Sequence, residues 1–71
     1  PGVPEVDAAV RGAVDALPPA EALVVRLRVF DEMPVKRNAA ALGVPVSTVK
    51  WRLHRARLRL REGLYEPDYL D

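Results

Sequence analysis

The sequence predicts an all-α fold, a small four-helix domain with a C-terminal helix-turn-helix. Three observations carry that expectation. Apolar residues recur at three- and four-residue spacing along most of the chain, prolines and glycines cut the pattern into four pieces, and no segment alternates with the period of two that a strand needs. With 71 residues and no cysteine, the chain is one domain near the lower limit at which a single core is stable without a disulfide or a metal.

The first helix is read from Val6, Ala9, Val10, Ala13, Val14 and Leu17, which repeat at helical spacing. Glu5 and Asp7 sit at the end where the helix dipole favours acids. Pro18 and Pro19 stop it, and proline at a first-turn position opens a second helix with Glu21 nearby. Its core stripe reads as Leu23, Leu27 and Phe30, with Val24 alongside, and it runs out at residues 31–34, where Met33 is expected to pack. A third, shorter helix covers residues 35–42. Gly43 ends it in a left-handed cap, and Gly43, Val44 and Pro45 form a short turn. Ser47 or a neighbour then caps the fourth helix, which continues to about residue 62 with Gly63 as its terminator.

Charge is strongly segregated behind a net value of +1. Residues 1–35 carry three arginines against six acids, residues 36–61 carry eight basic residues and no acid, and residues 62–71 carry four acids. A merely solvated helix face would include glutamates. Their absence over 26 residues points instead to nucleic acid or an acidic protein.

On a helical wheel of about 100° per residue, Val49, Leu53, Ala56 and Leu60 fall on one side of the fourth helix. Ser47, Thr48, Trp51, His54, Arg55 and Leu58 fall opposite, Lys50, Arg57 and Arg61 line one flank, and Arg52 and Arg59 line the other. Two helices joined by a short glycine-containing turn, the second cationic and exposed, describe a helix-turn-helix DNA reader. The outward residues of its recognition helix are Thr48, Trp51, His54 and Arg55. Arg55 suits a bidentate contact to guanine, His54 a base edge, and Trp51 an apolar contact to a thymine methyl or a sugar. Lys50, Arg52, Arg57 and Arg59, with Arg28, Lys36 and Arg37 upstream, are expected on phosphates.

Other chemistries fit poorly. His54 is the only histidine and there is no cysteine, so neither a metal site nor a cofactor is expected. Ser47 and His54 stand seven residues apart on one exposed helix, which gives no triad, and no enzyme activity is expected. No run of 18 apolar residues and no signal-peptide pattern occurs, and the polar face of the basic helix is too broad for a membrane-surface helix. A cytoplasmic protein with no membrane contact is the expectation. Beginning at Pro1 rather than methionine, the chain reads as a piece of a longer protein.

Several stretches carry a family resemblance: Leu17-Pro18-Pro19, Leu23-Val24-Val25-Arg26-Leu27, Ala39-Ala40-Ala41-Leu42-Gly43-Val44, and above all Thr48-Val49-Lys50-Trp51-Arg52-Leu53-His54-Arg55-Ala56-Arg57 followed by Leu60-Arg61-Glu62. Over roughly residues 15–63 the chain resembles region 4 of bacterial sigma-70-family transcription initiation factors, most closely the extracytoplasmic-function group. The resemblance implies a non-enzymatic domain that reads the promoter −35 element while docked on the flap of the RNA polymerase β subunit, often restrained by an anti-sigma factor. It places the base-reading positions on Trp51, His54 and Arg55, and phosphate contacts on Arg28, Thr48, Lys50 and Arg52. The pattern departs from the family at four positions. Isoleucine is usual where Asn38 stands, acidic residues are common at Lys36 and Arg37, and a small polar residue is typical at Trp51. An inward amide at Asn38 needs partners or costs about 1 to 3 kcal/mol, unless the third helix is rotated or Asn38 sits at a wetter edge.

Two other functions share these features. A LuxR-type response-regulator output domain has the same four-helix layout but predicts homodimers on a palindrome, whereas a sigma domain is monomeric on a non-symmetric element. A sigma-like domain used mainly for protein interaction, with an anti-sigma or other acidic partner, would account for Asn38, Trp51 and the acidic tail. The expected organisation is a region 4-like domain over residues 1–64 and an acidic tail over residues 65–71, either frayed or folded back on the basic helix in competition with DNA.

Overall fold

The computed structural model describes residues 4–63, with side chains described from residue 8 onward. Among these residues there are four helices and no strand: α1 (Pro4–Asp15), α2 (Pro19–Val25, prolonged by a π-helical turn at Arg26–Phe30), α3 (Val35–Leu42) and α4 (Val46–Glu62). The proposed tail, and the side chains of Glu5, Val6 and Asp7, lie outside the described residues.

Proline starts three of the four helices by one device. Pro18, Pro34 and Pro45 each hold an extended ψ, between 143° and 152°, immediately before α2, α3 and α4. Their carbonyls accept the first helical amides: Ala22 at 2.9 Å from Pro18, Asn38 at 2.9 Å from Pro34 and Val49 at 3.3 Å from Pro45. A fixed φ near the helical value makes proline suitable at a helix entry, and its missing N–H costs nothing there. This corrects the expectation that Ser47 or a neighbouring side chain caps α4. Pro45 occupies the cap position, no side-chain cap bond forms, and Ser47 is an exposed first-turn residue.

The core lies between α2 and α4, closed at its sides by α1 and α3. Val14 and Leu17 reach it from α1 and the following turn, with Val10 and Ala13 packed behind them, and Ala9 is exposed. The stripe of α2 differs from the one expected. Ala22, Val24 and Val25 are buried together with Glu21, whereas Leu23 is 43% exposed and Leu27 and Phe30 are only half-buried.

Two physical causes account for the shift. Glu21 can face inward because the Arg59 guanidinium of α4 donates to its carboxylate at 2.8 Å, which turns the 21/22/24/25 face, not the Leu23 face, toward α4. After Val25 the helix then widens, the Asp31 amide reaching back five residues to the Arg26 carbonyl at 3.1 Å. A π turn takes more residues per revolution than an α turn, so the apolar phase slips and Val29 and Phe30 pack at the core's edge. The widened end closes with Met33 donating to the Leu27 carbonyl at 2.9 Å, Glu32 taking a left-handed φ of 53°.

Asn38 is fully buried, the inward one of the alternatives left open by its position in the sequence. Its side-chain amide donates to the Val24 carbonyl at 3.0 Å, tying α3 to α2 just ahead of the π turn, while its Oδ1 has no hydrogen-bond partner among the described residues.

Gly43 closes α3 at φ 67°, as expected. Its amide donates to the Ala40 carbonyl at 3.3 Å and that of Val44 to Ala39 at 3.1 Å, a Schellman closure that aims the chain into α4. A Cβ at position 43 would meet nothing within 4 Å, so only the backbone resists substitution. Gly43→Ala is therefore expected to lower stability by about 1 kcal/mol, seen as a lower urea midpoint with an unchanged m-value. A stability equal to or above the parent's would show that the left-handed residue is not needed.

Candidate nucleic-acid interface

Helix α4 presents the geometry of a recognition helix. Its inner residues Val49, Leu53, Ala56 and Leu60 are all buried, at 0, 6, 0 and 4% exposure, so the face opposite them is fixed outward. Ala39 on α3 is buried in the same core, and the three-residue turn Gly43, Val44 and Pro45 holds the two helices as a helix-turn-helix pair. Ala56 on α4 is buried in that core as well.

The three expected base-reading side chains form one cluster on the outward face. Trp51 is 60% exposed, the most exposed of the large apolar side chains among the described residues. The His54 ring lies 5.8 Å from it between centroids, tilted by 36°, and the Arg55 guanidinium carbon stands over it at 5.7 Å. Spacings of three and four residues bring such side chains together on a helix surface. An exposed indole with a cation over its face offers both an apolar surface and a directed donor.

The expected phosphate-binding residues are distributed unevenly. Lys50 is exposed beside this cluster, while Thr48, Arg52 and Arg57 are half-buried on α4. Lys36 and Arg37 are exposed in the first turn of α3, and Arg28 is half-buried in the π turn. Arg59 makes an ion pair with Glu21, whose side chain is 11% exposed. That pairing was hidden in the sequence, because 38 residues separate the partners and each reads as a surface charge by itself.

Two further pairs brace the scaffold. Arg26 donates to Asp15 at 2.6 Å, and the Arg11 guanidinium lies 4.1 Å over the Phe30 ring, so α1 is held to both ends of the π turn. Surface pairs of this kind contribute on the order of 0.5 kcal/mol each.

Ser47 and His54 both point to solvent. An open groove of about 550 Å³ lies at the other end of α4, against Leu17, Pro18, Leu60 and Gly63, and neither Ser47 nor His54 lines it. Among the described residues no three His, Cys, Asp or Glu side chains gather as a metal site requires. No helix among them is long and apolar enough to cross a membrane.

Comparisons with known proteins identify the family. The chain is 46% identical over 56 residues to an RNA polymerase sigma-E factor of Streptomyces antibioticus, an alignment covering 79% of this chain and 31% of that protein. It is 48% identical over 52 residues to proteins of the same name from Streptomyces coelicolor and Streptomyces avermitilis, covering 73% of this chain and 29% of each relative. It thus spans about a third of the length of the relatives it matches. No solved structure matches it. The model of the family described as Sigma-70, region 4 matches residues 7–60, from α1 to the last buried leucine of α4, and the chain belongs to that family.

Proposed function

We propose that this domain reads a promoter −35 element, with the outer row of α4 in the major groove and the rest of the fold docked on RNA polymerase as part of a longer sigma factor. The single observation that carries the reading is the cluster of Trp51, His54 and Arg55, held outward by the burial of Val49, Leu53, Ala56 and Leu60 and flanked by cations. Family membership supports it independently. In this reading Arg55 takes a guanine edge, His54 a neighbouring base, and Trp51 an apolar surface. Thr48, Lys50, Arg52 and Arg57 on α4, with Arg28, Lys36 and Arg37 from α2 and α3, seat the helix on the two phosphate backbones.

The same reading makes the domain a non-enzymatic, cytoplasmic module that is monomeric on a non-symmetric element. The β-subunit flap is its polymerase contact and an anti-sigma factor its restraint. No cofactor is required. Nothing in the fold favours the LuxR-type alternative.

Titrating fluorescein-labelled duplexes, one −35-like and several scrambled, at two salt concentrations tests the proposal. The −35-like duplex should bind more tightly at both, and equal affinity for all duplexes would defeat sequence reading. Arg55→Ala should weaken the specific duplex by about 1 to 3 kcal/mol, with smaller losses on scrambled ones, because a bidentate base contact discriminates by that amount.

A further inference from the structure

We infer that Trp51 and Arg55 act as one composite reader of a thymine–guanine step, Arg55 taking the guanine edge and Trp51 the C5-methyl group of the adjacent thymine. The inference rests on the promoter-reading proposal and goes further by naming the base step and the chemical group recognised.

The geometry supplies the argument. Arg55 stands over the Trp51 ring at 5.7 Å, so the two side chains share one patch of the outward face. A guanidinium that pairs bidentately with O6 and N7 of a guanine must lie near the plane of that base. An aromatic ring beneath it is then displaced toward the neighbouring base, and successive bases along a strand are about 3.4 Å apart. In the major groove the one apolar group that a base edge offers is the thymine methyl.

Trp51 matches that group and little else on DNA. Its indole has one donor and no acceptor, which rules out a bidentate base pair. At 60% exposure it contributes little to the core, so its size and apolar surface are available to a ligand. His54, 5.8 Å away, lies against the ring and limits where it can turn, keeping it beside Arg55. The ring also biases Arg55, whose guanidinium lies within cation–π range of its face at 5.7 Å and is drawn toward the same patch. The two residues should therefore be energetically coupled on DNA. The small polar residue usual at this position in the family offers no such surface.

The experiment uses the 71-residue chain with labelled duplexes and anisotropy detection, so that Trp51 can be replaced without losing the signal. The domain first selects its preferred duplex from a randomised pool at low salt. Each thymine of that duplex is then exchanged singly for deoxyuridine, which removes only the methyl group. One position, next to the guanine whose loss Arg55→Ala renders silent, should weaken binding about fourfold, the factor expected for one buried methyl. At that position 5-methylcytosine should bind better than cytosine by a similar factor. In Trp51→Ala, with helical content checked by circular dichroism, the thymine-to-deoxyuridine ratio should fall to one.

A selected consensus with no deoxyuridine-sensitive thymine beside the guanine would overturn the composite reader while leaving promoter reading intact. The composite reader also fails if Trp51→Ala keeps the methyl sensitivity, or leaves affinity and every ratio unchanged, which would assign Trp51 to a protein partner. A pool that yields no consensus overturns both readings together.

Discussion

Asn38→Asp is expected to destabilise the domain by about 3 kcal/mol or more at pH 7, whereas Asn38→Leu should cost only about 1 kcal/mol. The wild-type amide is fully buried and donates to the Val24 carbonyl at 3.0 Å. Aspartate there loses the donor and sets a carboxylate oxygen against a carbonyl oxygen. Leucine has nearly the same branched shape. It gives up one hydrogen bond but also removes the Oδ1, which has no partner among the described residues. A 71-residue domain has a total stability of roughly 4 to 10 kcal/mol, so the aspartate variant should lie near its unfolding threshold.

The pH dependence separates these effects from loose packing. Burial raises the folded-state pKa of a carboxyl at position 38 above its unfolded value of about 3.9. Between the two values the folded state binds more protons, so stability falls as pH rises. Urea titrations should find Asn38→Asp closest to wild type near pH 4 and progressively weaker toward neutrality, with Asn38→Leu parallel to wild type throughout. If the two variants were equally destabilised, or the aspartate penalty were flat across that range, the buried amide would not be the link between α3 and α2.

Position 38 also marks how far the sequence could be read. Helix α3 was legible to the residue, because Pro34 and Gly43 bound it with strong backbone preferences. The inner stripe of α4 was legible too, since Val49, Leu53, Ala56 and Leu60 are its only apolar residues at one helical phase, and all four are buried. Helix α2 was not. Nearly every residue from 22 to 30 is apolar, so periodicity could not select a face, and side-chain size favours the leucines over the valines that are in fact buried. Periodicity contains neither of the two signals that would have corrected this. One is the Glu21 to Arg59 pair, and the other is the π turn, for which no residue preference stands out in Arg26–Phe30. In the candidate interface, the outward row of α4 followed directly from its inner stripe. The separate fate of Arg59 did not, because a wheel assigns a direction to a side chain and not a partner.

That separate fate leads to an expected result in DNA binding. Neutralising about five phosphates should give a slope of log affinity against log salt near −4 to −5, so that raising salt from about 50 to 200 mM weakens binding by a few hundred-fold. Lys50→Gln and Arg52→Gln should each reduce the slope by about one and weaken specific and scrambled duplexes alike, as losses of phosphate contacts do. Arg59→Gln should leave the slope unchanged, because its guanidinium is engaged by the Glu21 carboxylate at 2.8 Å. Its effect should appear in stability instead. Glu21 would keep a nearly buried carboxylate without its cation, a loss on the order of 1 kcal/mol once the partial exposure of Arg59 is allowed for. Replacing both partners, Glu21→Gln with Arg59→Gln, should recover part of that loss, since no charge is then left at the α2–α4 contact. Binding isotherms at four salt concentrations, set beside urea melts of the same variants, distinguish the roles. A slope near zero in the wild type would remove the phosphate-seating model altogether. A slope reduced by Arg59→Gln as much as by Lys50→Gln would instead mean that DNA takes Arg59 from Glu21, and that α4 loosens from α2 when it binds.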